Sequence, residues 1–547
     1  MTDTSDRMNR EPEDGGGDGY DTRRPGLRLP RLGILGWLIA IVAGAIAIGI
    51  AVLAWLAWDF QVESARKAAA DAGEVPVTAD FAPGQPKPDD VLFRVAGSAA
   101  LADQVIPDIA AAWMRGQGYG GVSIGRSGQV IEVEGSRGGQ RARVLVVSGT
   151  ATGGFRAMVE RRVEAVVSMR PIAPAEADRL SAFGDMNNPA SERVVGLVPE
   201  LIVVHRSNPV DAITTDTLAR IVAGEITDWS EVVSQKRGPI EVRLEDARQD
   251  GTAVASLLGD REAPETALRL PDATSVFDDV AAGVARVGIA IRNSDATGVK
   301  ALGVGERNAR IVMPDDFSVL TEAYPFTRRA RLYVGSSNVD TNARSFADFV
   351  ATQTGRTIAR RSGFLAPAME AVSYRPTNDA PQGYRNFAAG AQRMNFDLRF
   401  HLGSSELDAK AARDIDEFVQ FVKANNIDPR RIALLGFADN VGARATNVGL
   451  AQARAETVAN TLRQRGIGTG LIRSFGEAMP VGANASEDGR IRNRRIEVWI
   501  CAPPACPLID LAAGPLQDVT PQARTLPAGV RLGPGPRLQP GDEPPKG

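Results

Sequence analysis

The sequence predicts an α/β chain in three parts: one N-terminal transmembrane helix, a large domain of alternating strands and helices, and a smaller C-terminal α+β domain. Three observations carry that reading. The run from Leu32 to Trp58 holds no charged residue and exceeds the roughly 20 residues a bilayer-spanning helix needs. From Val91 onward, apolar strand-like runs alternate with helical patterns, which argues for a mainly parallel sheet with helices on its faces. Beyond residue 390 the apolar period switches between two and three-to-four in the order β-α-β-α-β. At 547 residues the chain is too long for one domain. Its net charge of −3 offers no basic excess, so no nucleic acid is expected as a partner. Two His and two Cys exclude a multi-Cys metal site and leave little for His chemistry, so neither metal nor cofactor is expected.

Residues 1–31 are polar and Gly-rich at their start and read as a disordered tail. The apolar run 32–58 is too long for the core of a cleaved signal peptide, and Trp55 and Trp58 close it as interfacial anchors do. Arg23, Arg24, Arg28 and Arg31 precede it, whereas Asp59, Glu63, Asp71 and Glu74 follow. The positive-inside rule then puts the N-terminus in the cytoplasm and everything after Asp59 outside, which in a bacterial cell is a single-pass inner-membrane protein with its bulk in the periplasm. The absence of an ionisable group in this helix argues against a proton-conducting stator or a transporter subunit. Residues 59–90 read as a linker, 91–372 as the large domain, 373–389 as a second linker, 390–501 as the small domain, and 502–547 as a Pro/Gly-rich disordered tail.

Three turns of the large domain place small and hydroxyl residues where a strand meets a helix: Gly97-Ser98, the run from Ser148 through Thr150 and Thr152 to Gly154, and Gly251-Thr252. Such turns cap helices, and together they also form a cradle for an anion. The stretch resembles the substrate-binding protein of phosphate ABC transporters, a two-lobed periplasmic-binding-protein (type II) fold. The carrying segments are Ala165 to Ile172, which includes Ser168 and Arg170; Ile202 to Trp229; Tyr324 to Arg328; and Gly355 to Pro367. The resemblance implies a small oxyanion such as phosphate as ligand, held by Ser98, Thr150, Thr152, Ser168, Arg170, Gly251 and Thr252. The chain departs from the family where Asp250 replaces a Ser of the third turn and Asp246 stands where an Arg is usual; both acids repel a multivalent anion unless Arg170 or Arg248 compensates. A purely structural or protein-binding use of the fold stays open beside the oxyanion.

In the small domain, Phe396, Leu398, Phe400 and Leu402 share one strand face, and Ile415, Phe418, Val419 and Val422 one helical stripe. A strand from Ile432 to Phe437 ends in Ala438-Asp439-Asn440; a second helix follows, then a last strand with Ile496, Val498 and Ile500 alternating. The run Gly436 to Gly442, then Asn447, Leu450, Ala451, Arg454 and Ala455, then Gly476-Glu477, then Asn493 to Val498, resembles the OmpA-like peptidoglycan-binding domain. That resemblance implies peptidoglycan as partner. Asp439 would receive the ammonium, and Arg454 the carboxylate, of the diaminopimelate residue in the stem peptide, with Asn447 and Arg495 in the same motif. Arg495 has a second reading, as an ion-pair brace of the fold. Cys501 and Cys506 are a candidate disulfide in an oxidising compartment.

His205 and His401 fall in different domains without a nucleophile motif, so the expected function is non-enzymatic. It is that of an inner-membrane anchor carrying a solute-binding-like domain and then a wall-binding domain. The alternative is a wall-tethered phosphate receptor serving an ABC transporter.

Overall fold

The computed structural model describes residues 75–507 apart from residues 77, 85, 235–237, 246–251, 260, 293–296, 338–339, 367 and 401–405. The anchor expected at 32–58, the tails at 1–31 and from 508 on, His401 and Gly251 lie outside the described residues. Among the described residues no helix is long and apolar enough to cross a membrane.

An 11-stranded sheet runs through the large domain. Its first half is built on the strand Val91–Ser98, which pairs in parallel with Gln140–Gly149 on one side and Ala165–Ser168 on the other. The core beneath is aromatic: Phe93 meets Trp113 edge-on at 5.3 Å, and Phe346 at 4.9 Å. Trp113 sits on the helix Ile106–Gly116, whose buried residues Ile106, Ile109, Ala110 and Trp113 recur at helical spacing, and its indole N–H donates to Ser345 Oγ at 3.1 Å. The second half gathers Leu218, Ile221 and Trp229 under the strand Glu192–His205.

Two long strands join the halves. Glu192–His205 pairs antiparallel with Thr327–Val334 up to Pro199, and from Glu200 on with Arg286–Ile291. Proline lacks an N–H for a ladder and is tolerated where a partner strand ends. Pro199 faces Thr327, the first residue of its partner, and Glu200 faces Ile291, the last residue of the next one. The two lobes therefore meet at Pro199-Glu200.

The sheet is more mixed than the expected parallel one. A hairpin of Gly120–Ser127 and Val130–Arg137, not anticipated from the sequence, is inserted before Gln140–Gly149 and pairs antiparallel with it. Its outer strand is almost wholly exposed and so lacks the apolar period that reveals a strand.

The C-terminal domain is a 5-stranded sheet in the order Ala371–Val372, Ala391–Arg399, Arg495–Cys501, Ile432–Phe437, Leu471–Ser474. The helices Ala409–Ala424 and Arg444–Gln464 cover one face through Ile415, Phe418, Val458 and Leu462. The stretch 373–389, expected as a linker, instead contains the helix Gln382–Ala389, which covers the other face. Its Pro, Asn, Asp and Gly residues look like loop composition, yet Tyr384 and Phe387 pack on Trp499, and the Tyr384 hydroxyl donates to Glu497 at 2.7 Å. A disulfide joins Cys501 and Cys506.

The two domains lie in one compact unit. Arg329 of the large domain bonds its own domain's Glu322 at 2.9 Å and Asp408 of the small one at 2.9 Å. Lys410 approaches Glu322 at 3.6 Å, and Arg356 grips Glu417 with both terminal nitrogens. Burial opposes ionisation of Glu322, but Arg329, Lys410 and Arg399 overcome it and hold the carboxyl down to about 2.

Candidate functional site

The large domain's turns converge by topology. Ser98 pairs with Gly149, and Gly97 with Val167, so Ser98, Thr150 and Ser168 stand side by side at the carboxyl ends of three adjacent strands, where open α/β sheets place ligands. Gly97 is required there: at φ +142 a Cβ would lie 2.0 Å from the Val167 carbonyl oxygen.

Most of the polar groups at these turns already have partners. Thr150 Oγ1 accepts from Gly153 N at 3.0 Å, capping the helix Ala151–Val159, and Thr252 Oγ1 accepts from Ala255 N at 3.1 Å. Arg170 donates to Thr152 Oγ1 at 2.9 Å and grips Glu176 bidentately at 2.7 and 2.6 Å. Ser168 Oγ donates to the Arg170 carbonyl at 2.6 Å. The Ser98 hydroxyl is buried without a hydrogen-bond partner among the described residues.

Two residues absent from the expected set bridge the lobes. Glu200 accepts from Ala253 N at 2.5 Å and pairs with Arg328 at 2.5 Å, and Arg328 also donates to the Met169 carbonyl at 3.3 Å. The side chains of Glu200 and Arg328 are 5% and 7% exposed, so the pair is sealed. Nearby, burial raises the Glu245 carboxyl, and the charges of Glu200 and Asp272 add to that. The signal for Glu200 was visible as the single acid inside the apolar run from Val194 to Val204.

In the C-terminal domain the strand Ile432–Phe437 delivers Asp439, and the helix Arg444–Gln464 presents Asn447 and Arg454, two turns apart on one face. Strand and helix touch at Gly436, where a Cβ would lie 2.3 Å from the Ala451 carbonyl oxygen. Asp439 Oδ1 accepts from Val441 N at 3.0 Å, and its Oδ2 from Arg494 Nη1 at 2.8 Å. Asn447 Nδ2 donates to Glu477 at 3.1 Å. The Arg454 guanidinium lies 5.5 Å from the centre of the Phe400 ring, and its buried Nε has no partner among the described residues. Burial and the neighbouring Arg494 push Arg454 below its ordinary value, while Asp439 opposes them.

Arg495 does not join this group. It is 1% exposed, bonds Glu497 at 3.1 Å and covers the Phe437 ring at 3.9 Å, so it braces the opposite face of the sheet. Strand parity explains this. Ile496, Val498 and Ile500 face the helices, which sends Arg495 the other way and leaves Arg494 on the side of Arg454.

Comparison with known proteins agrees with both domains. Residues 129–354 match the family model of a PBP superfamily domain, and residues 399–494 that of the OmpA family. The chain thus carries a PBP-like domain followed by an OmpA-like domain. Within the second, an outer membrane protein A of Bordetella avium is 32% identical over 109 residues, 20% of this chain and 55% of that protein. A peptidoglycan-binding protein ArfA of Mycobacterium tuberculosis is 36% identical over 72 residues, 13% of this chain and 22% of that protein. The chain therefore spans only part of these relatives. Among solved structures, an ABC-type phosphate transport receptor from Vibrio cholerae is 19% identical with a TM-score of 0.39, covering 50% of this chain and 100% of that one. A peptidoglycan-associated lipoprotein from Burkholderia pseudomallei is 25% identical with a TM-score of 0.17, covering 19% of this chain and 88% of that one.

Proposed function

We propose that this is a non-enzymatic, inner-membrane-anchored protein that grips peptidoglycan in the periplasm through its OmpA-like domain. The observation that carries this reading is Arg454. Arg399, Arg492 and Arg495 also leave one buried nitrogen unpartnered but bond through their others, whereas Arg454 makes no hydrogen bond or ion pair among the described residues and lies within reach of the Asp439 charge. A ligand end bearing one ammonium and one carboxylate, as in diaminopimelate, satisfies both groups: Asp439 takes the ammonium and Arg454 the carboxylate. The match of residues 399–494 to the OmpA family supports the same reading. In the test, purified peptidoglycan is used to pull down the full-length chain in mild detergent. Asp439→Ala and Arg454→Ala are each expected to abolish recovery, and wild-type recovery of either variant would sink the assignment.

A second reading makes the PBP-like domain a receptor for a small oxyanion such as phosphate, serving a transporter. The unpartnered Ser98 hydroxyl at the strand ends favours it. Calorimetric titration of the full chain with phosphate tests it, and no heat at millimolar phosphate would remove it.

A further inference from the structure

We propose that the PBP-like domain is a working part of the wall-binding site, and that its Glu306 is a positioning residue for that site. This rests on the wall-binding reading of Asp439 and Arg454.

Residues 475–486 of the OmpA-like domain, between the strand Leu471–Ser474 and the helix Glu487–Asn493, form the wall beside Asp439. Asn484 Oδ1 accepts from Asn440 N at 3.2 Å, so this loop touches the turn that carries the carboxylate. Arg494, just past the helix, holds Asp439 itself. The loop and helix are locked together: Asn493 Oδ1 accepts from Val481 N at 2.8 Å and Gly482 N at 2.9 Å. A Cβ on Gly489 would lie 2.0 Å from the Ala483 carbonyl oxygen, which leaves this pair of segments no slack.

The far side of the loop is held by the other domain. Val481 is 2% exposed and belongs to the apolar core of the second lobe. Glu306, directly after the strand Gly303–Gly305, accepts from Ala483 N at 2.9 Å and pairs with Arg492; both side chains are nearly buried. Loops are mobile unless such contacts tie them down. Without the PBP-like domain, Val481 would face water and Arg492 would lose its partner, with Asp439 only one hydrogen-bonded step away. A second tie runs to the other half of the site. Arg399, which precedes Phe400 beneath Arg454, donates to the Arg492 carbonyl at 2.7 Å and to the Thr321 carbonyl of the PBP-like domain at 2.8 Å. Both ligand-holding groups are therefore braced from across the domain boundary, and any event that shifts the second lobe will alter the grip.

The test titrates full-length protein with a soluble stem tripeptide ending in diaminopimelate. Glu306→Gln, nearly isosteric and still able to accept from Ala483 N, is expected to weaken binding about fivefold with only a small fall in melting temperature, within the range by which residues off the ligand modulate a site. Arg492→Gln, which cuts the contact from the other side, is expected to give the same loss. Arg492→Lys, which keeps a cation opposite Glu306 and leaves the Glu306 carboxylate in place to accept from Ala483 N, is expected to recover most of the affinity lost in Arg492→Gln. Wild-type affinity in both Gln variants, or no recovery in Arg492→Lys, overturns the role of Glu306. If wild type binds but Asp439→Ala binds equally well, the underlying site assignment fails and the Glu306 proposal with it.

Discussion

The two candidate sites are built alike and end differently. Each places small or hydroxyl residues where a strand delivers the chain to a helix, and each brings a guanidinium and a carboxylate together. In the PBP-like cleft the pair is Arg328 with Glu200, in direct contact, sealed, and tied to the backbone of both lobes. In the OmpA-like domain Asp439 is held by Arg494, and Arg454 lies nearby with a buried N–H that nothing described satisfies. A charge pair that is complete within the chain contributes to the fold and repels an added anion by the part of its own carboxylate. At the second site Asp439 is likewise paired, with Arg494, and it is Arg454, without a hydrogen bond or ion pair among the described residues, that is held in readiness for a partner. Residue types alone cannot tell the two sites apart, since each holds an acid and an arginine, although Glu200 and Arg328 lie within strands whereas Asp439 follows a strand and Arg454 sits on a helix.

Removing one partner of each pair should separate the two roles. Glu200→Ala leaves Arg328 buried without its carboxylate and removes the acceptor at Ala253 N, which costs roughly 3–5 kcal/mol for a broken buried pair. A large fall in the melting temperature of full-length protein is expected, while Arg454→Ala melts near wild type. Equal melts for the two variants would erase the distinction between a structural pair and a receptive one.

The domain boundary offers a second contrast, this time in pH. Glu322 is held down to about 2 against an ordinary value of 4.5, after the cations around it overcome burial. A carboxyl whose pKa is lowered by folding lends stability that is complete above its unfolded value. That stability is lost as the pH falls through the folded one, so the window here runs from about 4.5 down to about 2. The shift corresponds to a contribution on the order of 3 kcal/mol at neutral pH. Melting temperature followed from pH 6 to pH 2 is expected to fall through that window, and Glu322→Gln to start lower and flatten the profile. An unchanged profile in the variant would take Glu322 out of the acid response. Glu245 runs the other way: its raised carboxyl lends stability below its unfolded value, lost as pH rises through the folded one.

Most of the architecture was legible because burial writes itself as periodicity. The strand face of Phe396, Leu398 and Phe400 and the helix stripe of Ile415, Phe418 and Val422 are core in the structure. The exposed strand Gly120–Ser127 left no such imprint. The helix Gln382–Ala389 was hidden in turn-like composition because three buried aromatics, not propensity, hold it in place. At the site, Asp439, Asn447 and Arg454 could be named from their motif, but Arg495 was named where Arg494 holds Asp439, although the parity of Ile496 and Val498 carried the signal that separates them. Glu306, Glu200 and Arg328 act through partners remote in sequence, 186 residues away for Glu306 with Arg492 and 128 for Glu200 with Arg328. Long-range pairing of that kind leaves no local pattern that names the partner, even where, as at Glu200, a lone acid in an apolar run marks one member of the pair.

The smallest expected effect bears most closely on the cleft. Thr252 caps the helix Ala253–Leu258 by accepting from Ala255 N, and loss of such a cap costs about 1 kcal/mol. If capping is its whole task, Thr252→Ala lowers the melting temperature slightly, and millimolar phosphate changes the melt of neither protein. If the turn also holds an oxyanion, phosphate raises the wild-type melt by mass action, and Thr252→Ala loses that increment along with the cap. The two outcomes differ in the response to phosphate rather than in the size of the mutation's effect, so even this minor substitution decides between them. The sealed Glu200–Arg328 pair beside the turn makes the first the expected result: an arriving oxyanion would have to displace a carboxylate that already holds the Ala253 N–H and the guanidinium.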